Sequence, residues 1–480
     1  MGTPNLPIPP TRVRLGVLGF LCSLSLLTYL DRVCIMRVRG NIETDLNIDP
    51  VQMGLVFAAF AVGYGVFEVP GGWMGDVWGP RRVLTRIVLW WSLFTALTGL
   101  IFPSTQWPWF ALAAMLTVRF LFGCGEAGAY PNVARVVGSW FPYRERGLAQ
   151  GAVWMSARLG GAIAPVVIGG LSYFLGGWRQ AFWALGIFGA VWCVLFYFWF
   201  RDRPEDKPTC NQGERDLIRQ GPYSWKAEQA GVAHPKAPWG QLLRSPSLWF
   251  LCLASFGVSF AWYFFPTWQP RYLEDYHRLT PSQSQWLTGL PFLCGACGAL
   301  IGGFLSDWLI RITGSRRWGR SLVGLFGFSG AGACLFCVAL LDLSAGQAVT
   351  LLCLAFFIND LAIPPIWAAT TDIGGRYAGT VAGIMNMAGC VGAALSPALT
   401  PILLEEPLLA GGGCAAGAHA LVFGETVPIV TRWGFVFGVF ATAWIVAALA
   451  WLGINASKPI VHEPAPPTTT TPETGIREAQ

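Results

Sequence analysis

Apolar runs of about 20 residues recur along almost the whole chain, separated by short polar turns rich in glycine and arginine. Each run is long enough to cross about 30 Å of hydrocarbon as a helix. The pattern predicts twelve spans, near 13–36, 53–75, 82–102, 108–133, 146–172, 178–200, 247–270, 282–308, 320–342, 347–371, 376–404 and 429–453. These runs are apolar on every face. A membrane β-barrel would alternate polar and apolar positions, so that architecture is excluded. The first run is too long for a signal-peptide core and lacks a small-residue cleavage site, so it reads as a retained span.

Composition agrees with bilayer as the solvent: 54% of the 480 residues are apolar, 12% are charged, and mean hydropathy is +0.50. The cations are distributed unevenly. With both termini on the cytoplasmic side of the inner (plasma) membrane, alternate loops collect 23 Lys and Arg inside against 6 outside, as the positive-inside rule expects. The net charge of +6 is then mostly an insertion signal and gives no reason to expect nucleic acid. The 13 cysteines lie mainly in apolar spans, and neither a disulfide framework nor a metal site is expected.

A polar, charge-rich stretch at 201–246 divides the chain into an N-terminal six-helix unit (1–200) and a C-terminal one (247–453), followed by a tail (454–480) expected to be disordered. The halves echo one another. Gly72-x-x-x-Asp76-x-x-Gly79-x-Arg81-Arg82 follows the second span, and Gly303-x-x-x-Asp307 with Arg311, Gly314, Arg316 and Arg317 follows the eighth. Glycines let helices approach closely, and each aspartate can pair with a cation or cap a neighbouring helix. A repeated bond of that kind must break when the cytoplasmic side opens. The repeat resembles the signature loop of the major facilitator superfamily, and the resemblance covers nearly all of the chain. It implies an all-α integral membrane fold of two six-helix bundles related by pseudo-two-fold symmetry, with a central site between them.

Three arginines, Arg32, Arg119 and Arg158, fall inside spans, where a cation is costly and needs a purpose. Asp31 and Arg32 are adjacent and project about 100° apart on a helix, so they need not pair with each other. They either sit solvated at the outer interface or face a polar cavity, Arg32 meeting an anion and Asp31 exchanging a proton. Arg119 and Glu126 are seven residues apart, on one helix face about 10.5 Å from each other, so each needs another partner. Burial of both for stability alone would gain little, because desolvation offsets the attraction. Glu68 lies one turn from Tyr64 and two turns before Asp76, and reads as a gate acid or a substrate contact. Asp360 is a further intramembrane acid, either functional or satisfying a neighbour. The four histidines lie in loops or the tail, which leaves proton coupling to carboxylates. Most of the 24 tryptophans fit an interface belt or helix packing.

Tyr29-x-Asp31-Arg32 in the first span and Arg119-x6-Glu126 in the fourth are similar to the anion:cation symporter family. So are Phe141-Pro142, Glu145-Arg146-Gly147, Asp372-Ile373-Gly374, and the run from Gly383 through Asn386 to Gly389 with Pro397. The resemblance implies carriage of sugar acids, hexuronates or other organic anions. It implies Asp31 and Glu126 as proton-coupling carboxylates that Arg119 partners in turn, and no cofactor beyond the coupling proton. Tyr29, Arg32, Tyr64 and Asn386 would line the substrate site, together with Trp367 by a looser match. Glu68, Gly72, Asp76, Arg81, Arg82, Asp307 and Asp372 would serve gating. Two positions depart from the sugar-acid pattern: Glu68 stands where glutamine is common, and Arg158 where a neutral amide often follows Ser156-Ala157. Arg158 either adds a second guanidinium to the site, favouring a diacid, or partners Glu68 or Asp360.

The mechanism these features imply is proton-driven symport of a small organic anion by rocking of the two halves, in a functional monomer whose other partner is the lipid bilayer. A drug or metabolite exporter is the alternative within transporters, opposed by three buried arginines. A transporter-fold sensor is weakened by a linker too short for a signalling domain. An enzyme is not expected, since no HExxH, Gly-x-Ser-x-Gly or metal-ligand cluster is present.

Overall fold

Within a bilayer every backbone N–H and C=O must be bonded inside its own segment, so each apolar run has little choice but helix. The computed structural model describes residues 9–103, 106–107, 109–219, 237–405, 419–422, 425–428 and 432–461. The first half comprises α1 (Val13–Arg37), α2 (Arg39–Leu46), α3 (Pro50–Trp78), α4 (Pro80–Thr98), α5 (Phe110–Glu126), α6 (Ala129–Trp140), α7 (Arg146–Leu175) and α8 (Trp178–Trp199). Short helices α9 (Gln212–Ile218) and α10 (Trp239–Leu243) lie in the connecting stretch. The second half comprises α11 (Pro246–Trp262), α12 (Phe264–Asp275), α13 (Pro281–Thr313), α14 (Arg316–Leu340), α15 (Ala345–Gly374), α16 (Ala378–Glu405) and α17 (Arg432–Ala450). Before α17, strands β1 (His419–Val422) and β2 (Glu425–Pro428) pair antiparallel, His419 opposite Pro428.

The fourth span is α5 with α6 and the seventh is α11 with α12, which gives twelve. Among the described residues, ten helical segments are apolar and long enough to cross a membrane by length and composition alone. The difference has two causes. Residues 345–404 are two helices joined at Gly375, whose φ of +53° suits glycine, and α4 carries Arg81, Arg82 and Arg86 in its first turns. Three spans begin with reciprocal capping boxes at the polar edge: Asp49 with Gln52, Thr280 with Gln283, and Ser344 with Gln347.

Within the first bundle α1 packs on α7, α3 on α5 and α4 on α8; within the second, α11 packs on α16, α13 on α15 and α14 on α17. The bundles meet along α7–α13 and α3–α16. Those seams are close because they are glycine on glycine: Gly72 faces Gly379, and Gly147 faces Gly303. A side chain at Gly72 or Gly303 would run into the opposing backbone.

The aspartates of the repeated loops fasten the seams at the arginine-rich end. Asp76 accepts from the backbone N–H of Gly379 (3.0 Å), the N–H of Thr380 (2.6 Å) and the Thr380 hydroxyl (2.6 Å). Asp307 accepts from the N–H groups of Gly147 (3.1 Å) and Leu148 (2.7 Å). Each aspartate therefore caps a helix of the opposite bundle, where the positive helix end and free N–H groups favour a carboxylate. The cations that join them are Arg135, 3.4 Å from Asp76, and Arg320, 2.7 Å from Asp307. Arg320 also reaches Asp372 at 3.3 Å, which Arg146 meets at 2.8 Å.

Two expectations need correction. Arg81 and Arg82, placed at the gate from sequence, turn away from Asp76. Arg81 donates to the Tyr197 carbonyl, its N–H goes to Asp202, and Arg82 is exposed. The direction of helix α4 past Gly79 takes both side chains to the outer surface of the bundle. The start of the tail expected to be disordered is folded: Ile454 and Ala456 are buried, Ile460 N–H donates to the Ile373 carbonyl, and Ser457 accepts from Arg316 and Arg317. Residues 462–480, like 220–236 of the linker, lie outside the described residues. Two Cys-x-x-Cys spacings, Cys294–Cys297 and Cys334–Cys337, stand on unbroken helices with all four thiols free.

Candidate functional site

The site is built at helix breaks and half-way along spans. The fourth span stops at Glu126 and restarts at Ala129, because Gly128 adopts a left-handed conformation (φ +83°) and packs against Gly71 of α3. Asn132 takes up the exposed carbonyls, donating to Gly128 O at 2.7 Å and Gly71 O at 3.1 Å. Glu126, the last residue of α5, lies beside Arg32 of α1, with Arg32 Nε 2.5 Å from Glu126 Oε1. Glu126 is fully buried, and its second oxygen has no hydrogen-bond partner among the described residues.

A cavity of about 100 Å³ opens next to this pair, between the bundles. The first bundle contributes Tyr29, Arg32, Tyr64, Tyr130, Trp154 and Arg158 to its wall. The second contributes Ser255, Ser259, Trp262, Tyr263, Trp367 and Asn386. All six substrate-site residues named from sequence thus face one space. Arg32 lies over the Tyr64 ring at 4.3 Å, and the Tyr64 hydroxyl accepts from Asn386 Nδ2 at 3.2 Å, tying α3 to α16. One wall is aromatic: Tyr130 stacks on Trp154 at 4.7 Å, and Trp367 leans on both. The Tyr130 hydroxyl meets Ser25 at 2.9 Å.

Arg119 behaves otherwise than the spacing suggested. It is 2% exposed and rests over Phe122 (4.5 Å) and Phe60 (5.2 Å), with no carboxylate within ion-pair distance among the described residues. Asp31, also buried, has an unpartnered Oδ1, and both lie near enough to Glu126 to act on it electrostatically. Glu126 is therefore held by Arg32, and Asp31 and Arg119 act on it without an ion pair. Glu68 sits on the gate side of Tyr64, fully buried beside Tyr64 and Asn386, and neither oxygen has a well-oriented partner. Arg158 makes a fork with Asp360 of α15, at 2.6 and 3.1 Å.

Several participants escaped sequence reading. Trp154, Trp262 and Tyr263 line the cavity, and Arg135, Arg146 and Arg320 complete the clasp. Arg146 carried a signal, since it stood in the quoted Glu145-Arg146-Gly147 run. The tryptophans carried none, being three of 24 chemically equivalent candidates with Trp367.

Outside the spans, α9 docks on the start of α1 through Glu214. Its carboxylate accepts from the Thr11 hydroxyl (2.5 Å) and the N–H groups of Val13 (3.1 Å) and Arg14 (3.0 Å). Burial opposes ionisation of Glu214, but these donors and the Arg14 guanidinium outweigh it and hold the carboxyl below the ordinary glutamate range.

Residues 21–397 match the family model of the Major Facilitator Superfamily. A probable sulfoacetate transporter of Cupriavidus necator is 33% identical over 423 residues, covering 86% of this chain and 94% of the relative. A hexuronate transporter of Bacillus subtilis is 28% identical, covering 87% and 96%. A probable galactarate/D-glucarate transporter of Escherichia coli is 28% identical, covering 86% and 92%. The solved structure of a major facilitator proton:xylose symporter superposes with a TM-score of 0.65 at 14% identity, covering 93% of this chain and 98% of that one. At that identity the likeness is one of fold.

Proposed function

The chain belongs to the major facilitator superfamily, and from that membership we propose that it carries a small organic anion, such as a sulfonated or sugar-derived carboxylate, by proton-coupled symport. Relatives named for sulfoacetate, hexuronate and aldarate support an anionic solute. The observation that carries the reading is Arg32: a guanidinium facing an inter-bundle cavity while bonded to the buried acid Glu126. An anion that takes Arg32 leaves Glu126 buried without its cation, and such a carboxylate favours the protonated form. Anion and proton then enter together. The cavity, about 100 Å³, suits a small solute in this conformation.

The arginine-rich end is assigned to the cytoplasm of a bacterial inner membrane, with both chain ends on that side. Asp76 and Asp307 hold that end shut here, and their helix-capping bonds are what alternating access must break. Each copy carries a complete cavity, so a monomer suffices. A lipophilic-cation exporter fits less well, because the charged side chains that line the cavity, Arg32 and Arg158, are both cations.

Reconstituted vesicles test the proposal through Glu126→Gln. The neutral amide keeps shape and a contact to Arg32 but carries no exchangeable proton. Accumulation driven by an imposed pH gradient should vanish, while anion counterflow persists. Full pH-driven accumulation by the variant rejects the assignment.

A further inference from the structure

The cavity holds a second cation whose acid lies on the opposite bundle. Arg158 of α7 donates from Nε to Asp360 Oδ2 (2.6 Å) and from Nη2 to Oδ1 (3.1 Å), a parallel fork in which Asp360 is fully buried. Arg158 lines the cavity, and Asp360 sits behind it. The third guanidinium nitrogen, Nη1, points at the Tyr29 hydroxyl at 3.4 Å, and Arg32 lies 5.7 Å from the ring of the same tyrosine. Two guanidinia thus flank one side chain, each bonded to a buried acid.

We propose that Arg158 and Asp360 form a second anion subsite, with Asp360 as a built-in stand-in for one charged group, so that the transporter selects short dianions and takes up a second proton with them. This rests on the anion reading above and extends it. A dianion bridging Arg32 and Arg158 replaces Glu126 on one and Asp360 on the other. Each released carboxylate then accepts a proton from water.

Charge balance favours this exchange. Arg32, Arg119 and Arg158 stand against Asp31, Glu68, Glu126 and Asp360, an excess of one acid when all are ionised. A dianion added without protons would bury two further negative charges with no cation to match them, which low-dielectric surroundings strongly disfavour. Asp360 is also equipped for its neutral form. Asn359 Nδ2 already donates to Asp360 Oδ1 at 2.8 Å, and Asn359 Oδ1 is buried without a partner. A protonated Asp360 can donate to that oxygen and close an acid–amide pair. The other neighbours do not compete for the role. Arg158 is the charged group acting on Asp360; α13 presents the backbone of Gly295, α14 presents Gly327 to the same helix, α11 places Trp262 over Arg158, and Tyr29 reaches it only through Arg158.

The full-length protein in lipid nanodiscs provides the test, with binding of sulfoacetate (a two-carbon dianion) compared with glycolate (a two-carbon monoanion) by tryptophan fluorescence, and proton uptake read by a pH indicator. Wild type should prefer sulfoacetate by about 10- to 100-fold, the worth of hydrogen bonds to a charged group, and take up one more proton with it than with glycolate. In Arg158→Gln/Asp360→Asn, whose neutral side chains can still bond to each other, the preference should fall to about threefold or less and the extra proton should be lost. An unchanged preference and proton count in that double variant would make the pair a structural tie and overturn the proposal. If the double variant does not fold, equal proton uptake for both anions in wild type overturns it on its own. Binding of glycolate and galactonate as tightly as sulfoacetate sinks the dianion claim and leaves anion transport standing, whereas failure to bind any organic anion refutes the broader reading instead.

Discussion

Asp76→Asn is the sharpest probe of the clasp. The carboxylate takes three hydrogen bonds from Gly379 and Thr380 and faces Arg135 at 3.4 Å. Its two oxygens divide the work: Oδ1 accepts from Gly379, and Oδ2 accepts from the N–H and hydroxyl of Thr380. Asparagine keeps one acceptor and turns an N–H₂ toward the other donor, so at least one bond is lost together with the charge. A hydrogen bond to a charged group is worth about 1.5–3 kcal/mol, and the charge at a helix N-terminus adds about 0.3–1 kcal/mol. Loss of about 2–4 kcal/mol from the closed state alone shifts a closed–open equilibrium by about 30- to 800-fold. A protein that is 99% closed would then populate both states in comparable amounts, or favour the open one. Spin labels at the exposed positions Arg144 and Arg311, which lie on opposite bundles at the arginine-rich end, report the separation by electron–electron resonance. Wild type should give a single short distance, and Asp76→Asn a second, longer population. The pseudo-symmetric Asp307→Asn should do the same. A distance distribution identical to wild type in both variants would refute the claim that these caps hold the seams together.

Arg32→Ala should weaken anion binding by about 100-fold or more, since it removes a charged contact and leaves Glu126 buried without its cation; calorimetry with sulfoacetate checks this, and an unchanged affinity rules Arg32 out as the contact. Acidification should undock α9. Because the Glu214 carboxyl is held below its ordinary range in the folded protein, its contribution is present above about pH 4.3, the unfolded value, and is lost as pH falls through the folded value. Protection factors in 212–218, taken against the intrinsic exchange rate at each pH, should therefore fall on acidification in wild type and already be low near neutrality in Glu214→Gln; full protection in that variant would contradict the docking role.

The spans were legible because a bilayer leaves an apolar run no alternative to helix, and their edges fell within a few residues of α1 to α17. The cavity wall was legible where chemistry is rare in a membrane: Tyr29, Arg32, Arg158 and Asn386 are polar groups in apolar surroundings, and they converge. Partnership was legible only in part: Asp360 was among the partners the sequence offered Arg158, and the structure pairs them. Arg119 and Glu126 share a face of α5, yet Glu126 meets Arg32 of α1 while Arg119 rests on Phe60 and Phe122, because the partner each finds depends on how α1 and α3 pack beside α5, which no spacing rule contains. Arg81 and Arg82 sit next to Asp76 in sequence, but the cation that reaches it is Arg135, from a helix 59 positions on, because reach depends on where α6 lies and not on proximity along the chain. The same limit hid the folded stretch 454–461, which is too short to read as a span but whose Ile454 and Ala456 find a buried seat.

The two bundles are joined by bonds of two kinds, and the difference bears on how solute drives movement. The caps made by Asp76 and Asp307 involve backbone N–H groups at the arginine-rich end and no atom of the cavity. The Arg158–Asp360 fork also crosses from one bundle to the other, but one of its members faces the solute. A ligand can bias a conformational equilibrium only through interactions that differ between the states, and a contact confined to one bundle offers little of that. Replacing Asp360 on Arg158 removes an inter-bundle tie at the moment the cavity fills, so selection of the solute and release of the seam become one event. It follows that a monoanion able to occupy Arg32 alone should bind without promoting the longer distance between the Arg144 and Arg311 labels, while sulfoacetate should promote it. Equal effects from both would separate recognition from movement and place the trigger at Glu126 instead.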